Sequence, residues 1–364
     1  MRLKEVLEGK VRLKVPDVEK PEEGEVFYNP VMSYDRNISV GVLKLLKNVL
    51  NKPEDKLTVL DALSATGVRA LRYKKEVGVN SWANDVNPKS VDLIKENAAL
   101  NKIKIKVTRE DANIILRKNK FDYVDIDPFG SPVPFLDSTA KSFLREGFLS
   151  ITATDTAPLC GTYPKVSLRR YGIESFKSDY YNELGIRILI SEVIKTFAKY
   201  EKVFIPQLSY SRRHYFRVYG KVETGVKKVN NFLEKFGFVS HCFNCGWRDL
   251  GLKETCPMCG AKTKFTNVYL GDIQNKSFLK DLLIVLDEMG FEKEKKLIEI
   301  IKNEASVPFY FDTHYIAEKT GKAIRKIDDF IKKLKENGFS ATKTHFCPTA
   351  VKTDAKFSDV VEIF

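Results

Sequence analysis

The sequence predicts an α/β protein: a doubly wound parallel sheet, then a smaller α+β domain that holds a metal. Three observations carry this. Strand-like and helix-like stretches alternate from about residue 40 to 220, as βα units that build parallel sheets do. Acidic residues stand at the ends of successive strands, where such sheets bind ligands. Beyond about residue 221 the alternation stops and four cysteines gather between 242 and 259.

Taken in order, the first forty residues are polar and turn-rich up to VFYNPVMSYDRNISVGVLKLL. LTVLDAL (57–63) reads as a strand and GVRALRYKKEVG (67–78) as a helix. SWANDVN (81–87) is a strand leading into PKSVDLIKENAALN (88–101), a helix with proline in its first turn. IKVTREDAN (105–113) and FDYVDID (121–127) are strands separated by a short helix. The strand GFLSITATD (147–155) and the long helix 179–200 follow. VFIPQLSYS and RHYFRVYGKV close the sheet as an antiparallel edge pair. Three helices are expected later, at 276–290, 292–304 and 322–337. The domain boundary falls at 220, giving units 1–220 and 221–364.

Lysine and arginine total 61 against 48 acids, a net charge of +13. That excess favours a polyanionic partner. A lysine-rich surface selected for heat stability gives the same composition, and the presence of only two glutamines fits it. No stretch approaches the roughly 20 apolar residues that cross a bilayer. No apolar leader core follows the charged opening residues, so a cytoplasmic location is expected. Nothing in the sequence calls for an obligate protein partner.

The first strand delivers Asp61 and a small-residue turn, Ser64 to Gly67, which lets a ligand approach the backbone. One glycine is not the three of a dinucleotide fingerprint. This disfavours NAD and leaves S-adenosylmethionine, which needs no pyrophosphate cradle. An ordinary strand–helix turn is the alternative. Asp85 ends the second strand eighteen residues beyond Gly67, near the spacing at which an acid meets ribose hydroxyls. Asp111-Ala112 follows the third, where an acid can accept from an adenine amine. For both acids a helix cap is the competing reading.

The fourth strand ends in DPFG, Asp127 to Gly130. An exocyclic base amine is a poor nucleophile because its lone pair is delocalised. A carboxylate at Asp127 and the Pro128 carbonyl can hold its N–H bonds, and Asp127 can take the released proton. Phe129 offers a flat face to a base. The competing reading is a strand-ending turn with a core phenylalanine.

Cys242-x2-Cys245 and Cys256-x2-Cys259 form two knuckles, each followed by glycine. Four thiolates suit a closed, structural zinc site, with iron–sulfur the alternative. Cys160 and Cys347 stand apart, and His214, His241, His314 and His345 show no ligand spacing. YFDTHYIAEKTGKAIRKIDDFIKKLKENGFSATKTHF reads as helix–turn–helix and strand. In it Arg325, Lys326, Lys332, Lys333 and Lys335 either face phosphates or form a solvated face. SRRHYFRVYGK mixes bases with aromatics, as RNA-contacting strands do, and equally suits an edge hairpin.

FYNPVMSYDRNISV, LDALSATGVRALRY, NDVNPKSV and YVDIDPFGSPVPFLDS together resemble the tRNA (guanine-26-N2)-dimethyltransferase family. The resemblance extends to the C-terminal THFCPTAVKTDA. It implies a Rossmann-like class I methyltransferase that uses S-adenosylmethionine on the N2 amine of a tRNA guanosine. It implies that Arg36 holds the cofactor carboxylate with Arg69 nearby, that Asp85 binds the ribose, and that Asp111 and Ala112 meet the adenine. Asp127 becomes the acid–base residue and Phe27 a second aromatic at the base. The C-terminal unit, with its zinc segment at 238–264, becomes the tRNA-binding part. Alternatives are methylation of another base amine and a non-catalytic nucleic-acid-binding protein.

Overall fold

The computed structural model describes residues 2–364. The chain opens with a hairpin, β1 (Leu3–Glu8) and β2 (Val11–Pro16), followed by helix α1 (Ser33–Val49). Strands β3 (Thr58–Asp61), β4 (Asn80–Asn84), β5 (Lys106–Thr108), β6 (Tyr123–Ile126) and β7 (Glu146–Ala153) then alternate with helices. These are α2 (Val68–Arg72, continued by a wider turn Tyr73–Val77), α3 (Pro88–Leu100), α4 (Ala112–Lys118) and α5 (Val133–Ser142). Helices α6 (Thr156–Leu159), α7 (Pro164–Tyr171) and α8 (Tyr181–Ala198) lead to β8 (Lys202–Arg212) and β9 (Tyr215–Thr224).

The sheet order is β5-β4-β3-β6-β7-β9-β8. The first five strands are mutually parallel, and β9 lies antiparallel to both β7 and β8. The chain winds outward from β3 to β5 and restarts at β6 on the other side of β3. The crevice between the carboxyl ends of β3 and β6 is therefore the switch point. Asp61 stands on one side of it and Asp127 on the other. The expected doubly wound sheet and its antiparallel edge are present.

Two cores sandwich the sheet. One face is covered by α4, α5 and α8 through residues such as Ile115, Leu136, Leu189 and Phe197. The other carries α1, and here the sequence division at 220 does not follow the packing. Strand β9 runs through it to Thr224, and helices α10 (Lys276–Glu288) and α11 (Glu292–Asn303) pack back onto α1. Phe278 stacks on Phe148 of β7 with ring centroids 5.7 Å apart. At Gly41 a Cβ would lie 2.7 Å from Leu286 Cδ2, so the bare position lets that leucine seat against α1 without shifting. Alternation stops at 220 in the sequence, but the apolar face of α1 still needs a partner, and later helices supply it.

The remaining chain forms α9 (Val226–Leu233) and a three-stranded ribbon of β10 (Phe236–His241), β11 (Arg248–Leu250) and β12 (Lys264–Tyr269). After α11 come β13 (Phe311–Asp312), α12 (Thr313–Thr320), α13 (Ile327–Glu336), β14 (Ala341–Lys343), β15 (Ala350–Thr353) and α14 (Phe357–Ile363). The sheet order β13-β15-β14 backs two successive helices, so the expected helix–turn–helix is present with a hairpin behind it. Its second helix starts at Ile327 and not at 322, because Gly321 ends α12 in a left-handed conformation and 322–326 bridge the two. No helix among the described residues is long and apolar enough to cross a membrane.

Candidate active site

A cavity of about 790 Å³ opens at the switch point. It is lined by Phe27, Arg36, Asp61, Ser64, Arg69, Asp85, Asp127, Pro128 and Phe129, among others. Sequence separations of up to a hundred residues collapse here because each strand ends at the same edge. Asp111 and Ala112 follow β5 at the start of α4, outside this lining, and Asp111 Oδ1 caps α4 by accepting from Asn113 N at 2.8 Å. For Asp111 the helix-cap reading describes the structure. For Asp85 it does not, since the cap of α3 is Asn87. Asp85 instead accepts from Ala65 N (2.8 Å) and Asn87 N (2.9 Å), pinning the Ser64–Gly67 turn against β4. Ala65 is held at φ 46° and Gly67 at φ 78°.

Arg36 lines the cavity, with Nε and Nη2 bonded to the two carboxylate oxygens of Glu8 at 2.6 and 2.5 Å. Nη2 also reaches Asn29 O, and among the described residues Nη1 makes no hydrogen bond. Phe27 and Phe129 meet edge to face at the mouth, with centroids 4.7 Å apart and Phe129 76 % exposed. A core phenylalanine would not be left so bare. Pro128 is buried beneath it.

Asp127 is held by Arg69, whose Nη2 lies 2.6 Å from Oδ2. The same nitrogen reaches Asp35 at 2.6 Å, and Nη1 bonds Ser39 Oγ. Beneath this pair lies a fully buried one. Arg217 grips Asp125 through two bonds of 3.0 and 2.7 Å and also reaches Thr152 and Ser150. Tyr73 donates to Asp125 and Tyr210 to Asp35. Burial pushes both carboxyls up, but Arg217 and Arg69 outweigh it and hold each below its ordinary value. Asp61, by contrast, has no ion pair among the described residues. Burial, with Asp125 close by, pushes its carboxyl up to about 7 in spite of Arg69.

Sequence reasoning missed Asp35, Asp125, Arg217 and Glu8. The signal for Asp125 was available: it sits two residues before Asp127 on one strand, hence on the same face. Arg217 lies in an apolar run, YFRVYG, and is a core ion-pair partner, not an RNA contact. His345, expected to be an ordinary surface or partly buried residue, is partly buried as a whole. Its side chain is buried, with Nδ1 2.6 Å from Glu304 Oε1.

The four knuckle cysteines converge, with all Sγ atoms within 4.8 Å of one another and two pairs at 3.5 and 3.6 Å. Tetrahedral zinc with bonds of about 2.3 Å spaces its sulfurs about 3.8 Å apart, so this set fits. Gly246 N and Gly260 N donate to Cys242 O and Cys256 O at 2.9 and 3.0 Å, giving two equivalent turns. Both glycines have positive φ, 82° and 73°, which is why they follow the second cysteine. Cys160 and Cys347 are free. His241 stays outside the sulfur set and meets Tyr315 Oη at 3.1 Å.

Two outcomes follow from this geometry. Arg217→Met leaves buried Asp125 without its bidentate partner and with only Arg69 at 3.9 Å, and should lower stability by about 3–5 kcal/mol, measured by urea denaturation. Cys242→Ser should lower bound zinc and melting temperature while leaving ligand binding in the cavity intact. Equal metal content in variant and parent would remove Cys242 from the site.

Residues 9–364 match the family described as N2,N2-dimethylguanosine tRNA methyltransferase. The chain is 37% identical to a tRNA (guanine(26)-N(2))-dimethyltransferase of Methanosarcina acetivorans, over 98% of this chain and 97% of that protein. It is 36% identical to an enzyme of Aquifex aeolicus named for guanines 26 and 27, over 98% and 94%. Its fold matches the solved structure of Trm1 from Pyrococcus horikoshii with S-adenosyl-L-methionine at a TM-score of 0.88 and 32% identity, covering 99% of each chain. With the DPFG strand end, the switch-point cavity and the cysteine knuckles all in place, the chain belongs to the N2,N2-dimethylguanosine tRNA methyltransferase family.

Proposed function

We propose that this chain transfers one or two methyl groups from S-adenosylmethionine to the exocyclic N2 amine of a tRNA guanosine, at position 26. The observation that carries the reading is the placement of Asp127, fixed by Arg69, below the Phe27–Phe129 pair in one cavity with Asp61 and Asp85. The cavity lies in the size range of small-molecule sites. When bound, S-adenosylmethionine supplies a methyl group carried on a sulfonium.

The residues divide the work. Asp85 spends one lone pair of each oxygen on the turn and keeps others for a ribose diol. Asp61, a buried lining carboxylate without an ion pair among the described residues, meets the amino-acid ammonium. Arg36 offers Nη1 to the carboxylate, while Glu8 fixes its orientation. Arg69 is fully engaged and acts by positioning Asp127. Asp111, with Ala112, is left a place beside the adenine at the end of β5, with its second oxygen uncommitted. Asp127 and the Pro128 carbonyl accept the N–H bonds of the amine and turn its lone pair outward, and Phe129 and Phe27 hold the base.

Asp127 then takes the released proton. A methylated, positively charged aryl nitrogen gives up its proton readily to a carboxylate. The basic C-terminal unit grips the tRNA body, with Lys332 and Lys335 exposed on α13.

Asp127→Ala should cut methylation of unmodified tRNA by at least about a hundredfold while cofactor affinity barely changes. Mapping the modified nucleotides made by the parent protein tests the position. Near-normal turnover in the variant would remove Asp127 from the mechanism. The Asp61 role gives a pH signature. A cation bound beside it needs the carboxyl ionised. S-adenosylmethionine affinity should therefore rise by up to about tenfold per pH unit below 7 and level off above that. Asp125, Asp127 and Arg69 are the charged groups that act on Asp61. In calorimetry, Asp61→Asn should bind more weakly and without this slope.

A further inference from the structure

The β8–β9 hairpin ends in a two-residue turn, Arg213-His214, because Arg212 and Tyr215 are the last cross-strand partners. Both turn residues are exposed, and both line the cavity together with Phe27 and Phe129. They therefore form part of its rim. Arg213 has a φ of 52°, whereas His214 does not share the positive φ. A tight hairpin turn with positive φ at its first central position normally places glycine there. Arginine at that position keeps a backbone strain that glycine would relieve, and such strain gathers where a side chain is needed.

The three arginines of this stretch have different fates. Arg217 is buried against Asp125. The Arg212 guanidinium lies 3.4 Å from the centre of the Tyr34 ring. Arg213, among the described residues, has no ion pair, hydrogen bond or ring contact. The acids of the cavity, Asp61, Asp85 and Asp127, sit at strand ends and not on this turn. The rim thus presents an unneutralised guanidinium beside two aromatic rings.

We propose that Arg213 grips the phosphodiester backbone of the tRNA at the guanosine brought into the cavity. The assignment rests on the reading of the chain as a tRNA guanine-N2 methyltransferase. A base modified on its exocyclic amine must leave its stack, and doing so draws its own phosphate to the rim of the pocket. A guanidinium has five donors in a planar fork suited to phosphate oxygens. Phe27 and Phe129 would then hold the base, and Arg213 the backbone that carries it. This adds a contact within the first 224 residues to the grip expected of the C-terminal unit.

The test exploits the turn itself. Arg213→Gly removes the guanidinium and suits the backbone, so the protein should melt no lower than its parent and bind S-adenosylmethionine equally well. Its kcat/KM for unmodified tRNA should fall at least tenfold, carried mainly by KM. In filter binding with a tRNA transcript, the slope of log affinity against log salt should become shallower by about 0.7 to 0.9, one phosphate contact. Arg213→Lys should restore the slope and part of kcat/KM, which a role in turn shape alone would not. A folded Arg213→Gly protein with the parent's RNA affinity and salt slope overturns the assignment. If the parent fails to methylate tRNA but the slope difference persists, the enzymatic reading falls and the phosphate contact stands.

Discussion

The bidentate pair between Arg217 and Asp125 is the interaction on which the site depends. Both side chains are fully buried, and they join β9 to β6 across β7. A buried carboxylate without this partner would be driven toward its neutral form. It would then cease to hold Tyr73, Tyr123 and the nearby Arg69 in their present arrangement. Arg69 in turn bridges Asp35 of α1 and Asp127. Asp127, at the strand end, is thus the outermost member of a stack of alternating charges. The order of the strands matters for this reason: only a hairpin folded back beside β7 can deliver Arg217 to the floor of the crevice.

Much of this was legible in the sequence, and the reasons are specific. Parallel strands announce themselves as apolar runs, and their ends carry the ligand-facing acids, so Asp61, Asp85 and Asp127 could be found by position alone. The knuckle spacing and the glycines after Cys245 and Cys259 are dictated by the crowding of thiolates and backbone amides. What escaped were partners distant in sequence. Arg217 and Asp125 each look anomalous in an apolar strand, but nothing local says that they meet. Glu8 lies in a short N-terminal hairpin with no visible link to Arg36. Asp111 is the opposite case: the cap and ligand readings ask for the same residue in the same place, and Oδ1 takes the cap bond from Asn113 N.

The division of the chain is the other lesson. The ribbon with its four cysteines shares a small core with the C-terminal helices, where Cys242, Trp247 and Cys256 join Ile316, Phe330 and Leu334. A metal there therefore braces the helix–turn–helix as well as its own loops. Between that unit and the sheet, buried Glu183 of α8, paired with Arg187, meets Lys352 of β15, and Glu304 completes the cluster. These buried charges tie the C-terminal unit to helix α8 of the sheet.

The return of α10 to Gly41 has a consequence for how the protein is made. When a ribosome has released β9, all seven strands of the sheet exist. The face of α1 that carries Gly41 still has no cover, because Leu282 and Leu286 come more than fifty residues later. The nascent chain must carry that face exposed while the ribbon is synthesised and its cysteines await metal. Contacts so remote in sequence form late, and exposed apolar surface in partly made chains invites aggregation. Synthesis, metal supply and closure of the catalytic core are thereby coupled in time, although in the finished molecule the metal and the cavity lie in different units.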